Sequence, residues 1–303
     1  HPTSTRRPNA IAFDVREKGR VKTEDGTPTG KPVLDEKGNK VWTPGSLKAV
    51  KAIGWFIEEY GVAQISMNLT DVRVTPIHRA FDEVCQKATD RGVRVTGSEL
   101  VGLVPLQAML DAGKHYLRKQ KRSLGVPDHE LIKIAVRSMG LDDLKPFDPN
   151  EKIIEYRLES LLNPERRLVD MTVMGFTEET ASESPAPGGG SVSGAVGALG
   201  AALGTMVANL SAHKRGWDER WEEFSDSAEQ GKLAYENLLE LVDLDTQAFN
   251  QVMSAHRLPR GTDAERQARD EAIQDSARQA MEIPLRVMEQ AFESMELLES
   301  MAT

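Results

Sequence analysis

Apolar and polar positions in the first half of the chain follow two different periods. The runs "NAIAFDV" (residues 9–15), "VAQISMNLTDV" (62–72), "VRVTG" (93–97) and "KIIEYRL" (152–158) predict strands. Helical patterns lie between them. "SLKAVKAIGWFIEEYG" offers Ser46 as N-cap and Gly61 just past its end. "TPIHRAFDEVCQKATDRG" offers Thr75 as N-cap, Pro76 at the first helical position and an apolar stripe of Ile77, Ala80, Phe81, Val84 and Ala88. "PLQAMLDAGKHYLRKQ" and "PDHELIKIAVRSMGL" predict two more helices, the second stopped by Gly140. This order predicts an N-terminal ferredoxin-like α/β subdomain, a sheet with packed helices, within an α+β fold class. The segment from Gly19 to Gly45 interrupts it with turn signals at Asp25-Gly26 and Lys37-Gly38-Asn39, and reads as a surface hairpin insertion.

From about Leu168 onward no strand pattern remains. A short helix, a Pro-Gly loop and a glycine-striped helix come first. Long helices then run from Asp218 to about Arg257 and from Asp263 onward, with Pro284 as an expected kink. Residues 166–303 are therefore expected to be essentially all helix. Asn163-Pro164 breaks local structure, which divides the chain into domains 1–163 and 164–303. The uncharged run from Ser191 to Leu210 has the length of a membrane span. Its polar Ser193, Thr205 and Asn209, its repeating Gly194, Gly197, Gly200 and Gly204, and the lack of an aromatic belt argue against one. They predict instead a helix buried on all sides, its glycines admitting close neighbours, so that Gly200→Leu would overpack it.

Composition narrows the function classes. The 303 residues are 39% hydrophobic and 28% charged, enough for a core and about two domains. A net charge of −9 gives no electrostatic footprint for nucleic acid or an anionic membrane, so neither is expected as a partner. The single cysteine, Cys85, excludes an internal disulfide framework and a Cys-rich zinc site, and fits a cytoplasmic setting. The start without Met and the uncapped helical end read as an excerpt of a longer protein.

Chemistry concentrates in two places. In "ENLLELVDLDTQAFNQVM" the apolar face is Leu238, Leu241, Val242, Phe249 and Val252, and helical spacing drops Asp245 into that stripe. A carboxylate aimed at a core must hold its proton unusually tightly or have a dedicated partner. It is thus either a general acid or base, or a structural aspartate pairing with an Arg or capping another helix. Asp243, across the helix among Glu240, Gln247 and Asn250, reads as solvated. In "PAPGGGS" Pro187 stops what precedes, and Gly188, Gly189, Gly190 and Ser191 would open a helix. That start is either a site for an anion or carbonyl, or a tight helix connection. The loop is neither GxGxxG nor a Walker motif. His78 and His115 read as surface or packed histidines, and no spacing suits a metal.

The motifs "AQISMNLTDVRVTPIHRAFDEVCQKA", "VTGSELVGLVPLQAMLDAG" and "MGLDDLKPFDPNEKIIEY" resemble the C-terminal subdomain of glutamate formiminotransferase. "PAPGGGSVSGAVGALGAALGTMVANL" followed by "LVDLDTQAFNQVMSAHRLP" resembles formimidoyltetrahydrofolate cyclodeaminase, in the order of the bifunctional formimidoyltransferase-cyclodeaminase family. The resemblance implies two steps of histidine catabolism. A formimino group passes from N-formiminoglutamate to tetrahydrofolate, and ring closure then gives 5,10-methenyltetrahydrofolate and ammonia. Tetrahydrofolate is the implied co-substrate, with no metal, and a homo-oligomer, dimer or higher, is the implied assembly. The family's cyclodeaminase aspartate falls on Asp245, and Gly188–Ser191 become a wall of the folate pocket. The family's transferase histidine belongs to an earlier subdomain and matches none of the six histidines here. Two other readings stand beside this one: a non-catalytic scaffold and oligomerisation module, and a methenyltetrahydrofolate cyclohydrolase.

Overall fold

The computed structural model describes residues 5–27, 29–162 and 167–302, and the chain divides into two compact units. The first comprises residues 1–116 and 128–158, the second residues 117–127 and 159–303.

In the first unit, helix α1 (Arg6–Val15) leads into a hairpin whose base is β1 (Arg20–Val21) paired antiparallel with β2 (Trp42–Thr43). Isolated bridges Thr23 to Pro32 and Leu34 to Lys40 carry the pairing outward, and Gly26 and Gly38 take positive φ at its turns. The insertion expected between Gly19 and Gly45 is therefore present. Strands β3 (Val50–Ile57) and β4 (Val62–Leu69) pair antiparallel from Val50 opposite Leu69 to Ile57 opposite Val62. Helix α2 (Ile77–Thr89) follows. Ile11, Ala12 and Val15 of α1 share one core cluster with Val50 and Ala52 of β3 and Ala80, Val84 and Ala88 of α2. A second cluster joins α3 (Leu106–Lys119) and α4 (Asp128–Met139) through Met109, Ala112, Ile132 and Ala135. Gly140 ends α4 at φ +60°, as its position predicts.

The mixed α+β class stands, but several elements differ from expectation. Residues 9–15 are helical, because Pro8, Ile11, Ala12 and Val15 follow the i, i+3, i+4, i+7 spacing of one buried helix face. Residues 50–57, expected as helix, are a strand, with Val50, Ala52 and Gly54 turned inward on alternate positions. A Cβ at Gly54 would strike the Pro8–Asn9 backbone, and the Gly54 amide donates to Asn9 Oδ1 at 3.1 Å, so the strand lies hard against α1. Residues 93–97 form no strand, although Val93 and Val95 pack on the core. Residues 152–158 belong to α5 (Pro149–Lys152) and α6 (Ile154–Leu162), separated by Ile153, whose single parallel bridge reaches Val104. Among the described residues, the expected ferredoxin-like sheet is thus two separate two-stranded sheets. Thr75 does not cap α2. Its hydroxyl donates to the Lys48 carbonyl at 2.7 Å, and Pro76 takes the cap position.

The second unit has no strand among the described residues of 167–302. A 3-10 turn (Leu168–Asp170) and α7 (Val173–Thr180) precede α8 (Gly189–Ser211), α9 (Trp221–His256) and α10 (Asp263–Ala302), with Pro284 inside α10. Ala198 and Ala201 of α8, Leu238 and Leu241 of α9 and Val287 of α10 form their common core. The segment 117–127 joins this unit, where Ser123 Oγ donates to Asn209 Oδ1 at 2.6 Å and Asn209 Nδ2 donates to the Gly125 carbonyl at 3.0 Å.

Helix α8 is long and apolar enough to cross a membrane by length and composition. It is not buried on all sides as expected. Its small residues Gly194, Ala198, Ala201, Thr205 and Ala208 face inward, while Val196, Leu199, Leu203 and Leu210 are 62–67% exposed. Small side chains let α9 approach, and a Cβ at Gly194 would sit 3.2 Å from the Leu238 carbonyl oxygen. Gly200 has open space around it, so the overpacking expected there does not arise within one chain. Gly200→Leu should leave the melting temperature of the monomeric unit unchanged or raise it by the helix propensity gained, up to about 1 kcal/mol. A clear loss of stability at protein concentrations too low for assembly would refute this.

Candidate functional site

The site is built where α9 crosses the start of α8. Leu238, Leu241 and Val242 anchor one face of α9 in the core and bring Asp245 to the glycine loop. Gly188 takes the N-cap position of α8 in extended conformation, with no side chain of its own to cap the helix. Asp245 supplies the missing acceptor from the neighbouring helix. Its Oδ2 accepts the Ser191 backbone N–H at 2.7 Å and lies 2.9 Å from the Ser191 hydroxyl. The carboxylate is thereby placed at the positive end of the α8 dipole, over one of the amides that a helix start leaves without a partner.

Sequence spacing put Asp245 among the apolar residues, and the structure shows the partner it finds there. It is half-buried rather than sealed in, and it caps a neighbouring helix. The four loop residues divide into distinct roles. Gly190 is the closest, since a Cβ there would land on the Asp245 carboxyl group. At Gly188 a Cβ would be 3.8 Å from Oδ2, and at Gly189 it would meet nothing. Ser191 is fully buried, its hydroxyl 2.9 Å from the Val242 carbonyl oxygen and 3.1 Å from Thr246 Oγ1 as well. Thr246 was not singled out by sequence reasoning. Its place next to Asp245 was the available signal, but the contact depends on how α8 docks.

Asp243 also differs from expectation. It is not simply solvated, because Oδ1 accepts the Leu168 N–H at 2.7 Å and so ties the 3-10 turn to α9. Two carboxylates two residues apart thus hold two different backbone segments.

In the first unit, His78 and His115 are brought together from α2 and α3 with ring centroids 4.4 Å apart. His115 Nε2 lies 2.8 Å from Asp82 Oδ2, while His78 Nδ1 is buried without a hydrogen-bond partner among the described residues. The His78 imidazole is held below its ordinary value of 6.5, first by burial and then by His115, against the opposite pull of Asp111 and Asp82. Burial, followed by Asp82, pushes the Tyr116 phenol up. Both histidines are packed groups, as the packed alternative in the sequence reading holds. Because the folded state resists protonating His78, its contribution to stability is complete above pH 6.5 and is lost as pH falls through the lower folded value. Denaturant midpoints measured between pH 5 and 8 should fall more steeply on the acid side for the wild type than for His78→Gln. Parallel curves would remove His78 as a cause.

Among the described residues no group of three or more His, Cys, Asp or Glu side chains is placed to hold a metal ion. The arrangement around Asp245 leaves a half-buried carboxylate beside the glycine loop, where it can accept hydrogen bonds.

Residues 2–159 match the formiminotransferase domain family, and residues 172–303 match the formiminotransferase-cyclodeaminase family. The chain is 42% identical over 256 residues to formimidoyltransferase-cyclodeaminase from Mus musculus, covering 84% of this chain and 47% of the mouse protein. It is 38% identical over 279 residues to the Sus scrofa protein of the same name, covering 92% and 48%. A methenyltetrahydrofolate cyclohydrolase from Methylorubrum extorquens is 34% identical over 131 residues, 43% of this chain and 63% of that protein. The chain spans about half the length of the curated bifunctional relatives it matches. With both domain types present in order and high identity across most of its length, this chain belongs to the formiminotransferase-cyclodeaminase family.

Proposed function

We propose that this chain acts in folate-dependent histidine catabolism, as part of a protein that transfers a formimino group from N-formiminoglutamate to tetrahydrofolate and then closes the ring to 5,10-methenyltetrahydrofolate with release of ammonia. The carrying observation is the half-buried Asp245 carboxylate held against the glycine start of α8. In this reading Asp245 is the general acid and base of ring closure, taking the proton that N10 loses as it attacks and returning it to the departing amine. Gly188–Ser191 form the edge of the folate pocket, where the lack of side chains on the three glycines lets a flat ring come close to the backbone. The work is done in the cytoplasm, without a metal, a membrane or a nucleic acid.

A folate titration tests this reading. Saturable binding of tetrahydrofolate to the full-length protein, weakened by Gly188→Val, is the expected result. Absence of binding in a folded, assembled protein would favour the scaffold reading. The cyclohydrolase reading has the Methylorubrum relative in its favour. It predicts hydrolysis of 5,10-methenyltetrahydrofolate with no ammonia released from the formimino compound.

We further propose that the protein is a homo-oligomer whose contact includes the outer face of α8. Leu199, Leu203 and Leu210 are exposed there, and Met281, Met288 and Phe292 of α10 are 64–68% exposed. Apolar patches of this kind on a soluble protein mark contact surfaces. Leu203→Glu in the full-length protein should shift the sedimenting species toward monomer while leaving helix content intact. An unchanged assembly would remove this face from the contact.

A further inference from the structure

Resting on the reading of Asp245 as the acid and base of ring closure, we infer that its two oxygens have separate tasks, with Ser191 as a positioning residue that anchors Oδ2 and leaves Oδ1 to exchange the proton with substrate. The Ser191 side chain is fully buried, so a ligand cannot touch its hydroxyl without dismantling the start of α8. Both its backbone N–H, at 2.7 Å, and its hydroxyl, at 2.9 Å, converge on the same oxygen, Oδ2. No donor among the described residues hydrogen-bonds to Oδ1. That oxygen instead faces the one loop position where a Cβ would collide with the carboxyl group, Gly190. A glycine there lets the carboxyl group seat directly against the start of α8.

The hydroxyl has one proton and three acceptors within reach: Oδ2, the Val242 carbonyl oxygen at 2.9 Å and Thr246 Oγ1 at 3.1 Å. It therefore stays hydrogen-bonded whichever way it turns. The backbone N–H holds Oδ2 throughout, because an amide cannot turn away. A proton can then arrive on Oδ1 from the attacking nitrogen and leave from Oδ1 to the departing amine. The carboxyl group ends as it began, and neither contact to Oδ2 has to break. The loop residues thus separate into a buried anchor, Ser191, and a seat for the carboxyl group, Gly190, rather than forming one uniform wall.

The test uses the full-length protein. Ammonia release, formimino transfer and melting temperature are measured for Ser191→Ala, Ser191→Thr and Gly190→Ala, beside Asp245→Asn. Ser191→Ala should lower kcat of ring closure by roughly tenfold, the effect of one lost hydrogen bond that orients the reacting group, with KM for the formimino-folate unchanged. Ser191→Thr, which keeps the hydroxyl, should recover most of that loss. Gly190→Ala should lower kcat by more than roughly tenfold, because its methyl group would displace the carboxyl group from its place against α8. A rise in KM with kcat intact for Ser191→Ala would make Ser191 a ligand contact and overturn the assignment. So would wild-type ring closure in both Ser191→Ala and Gly190→Ala. If the Thr variant melts early, the split between kcat and KM in Ser191→Ala decides. Ring closure retained in Asp245→Asn would instead refute the role of Asp245 itself. Its loss there with Ser191→Ala and Gly190→Ala active would refute only the division between the two oxygens.

Discussion

Asp245→Asn is expected to slow ring closure in the full-length protein by at least about 10²-fold, the loss typical of removing a general acid or base. The substitution is chosen because it separates chemistry from structure. An asparagine oxygen can still accept the Ser191 N–H that Asp245 Oδ2 accepts at 2.7 Å, so the start of α8 keeps its acceptor and the fold should hold. What disappears is the proton that a carboxyl group can take up and return. Formimino transfer should survive, because residues matching the formiminotransferase domain lie elsewhere, at 2–159. The formimino-folate should then accumulate. Ammonia release and methenyl-folate formation, measured separately from formiminoglutamate consumption, decide the matter. Wild-type deamination would return Asp245 to the role of a helix cap and nothing more. Loss of both activities together with the melting transition would do the same.

Leu238→Ala should destabilise the helical unit by about 2–5 kcal/mol, the range for truncating a fully buried leucine. Leu238 is 0% exposed and sits where three helices meet. A Cβ at Gly197 of α8 would touch its Cδ1 at 3.4 Å, and its own carbonyl oxygen lies 3.2 Å from the Cβ position of Gly194. The glycines that admit α9 also leave α8 without side chains to move into the void, so the cavity should collapse poorly. Leu238 and Asp245 lie seven residues apart on α9, so loosening this crossing should also blur the placement of the carboxylate. Denaturant melts of Leu238→Ala and of Leu239→Ala, whose side chain is 38% exposed, provide the comparison. Equal midpoints for the two variants would show that the crossing does not carry the stability assigned to it.

Much of the candidate site's geometry was legible in one dimension because a helix face is a local property. The spacing of Leu238, Leu241 and Val242 is enough to place Asp245 on their side of α9, and the buried positions of α9 agree. The glycines of the loop were equally visible. Which of them meets the carboxylate was not, because that depends on the rotation of α8 against α9, and Gly190 differs from Gly189 only in that rotation. Asp243 shows the same limit. Its place on the helix said nothing of Leu168, seventy-five residues earlier, whose N–H it accepts.

Helices α3, α4 and α7 to α10, the surface hairpin and the absence of strands from the described part of the second half follow from periodicity, turn residues and caps, all of which act over a few neighbouring residues. The secondary structure of residues 9–15 and 50–57 was decided in three dimensions. "NAIAFDV" and "VKAIGWFI" carry apolar residues on enough positions to satisfy either period, so local preference is nearly balanced. Pairing of 50–57 with 62–69, and the contact of Gly54 with the Pro8–Asn9 backbone, break the tie. The outward face of α8 has the same origin. Its composition specifies an apolar helix. Only the docked neighbours select the small residues for the inside, because helix backbones pack closest where side chains are least, leaving the larger leucines exposed.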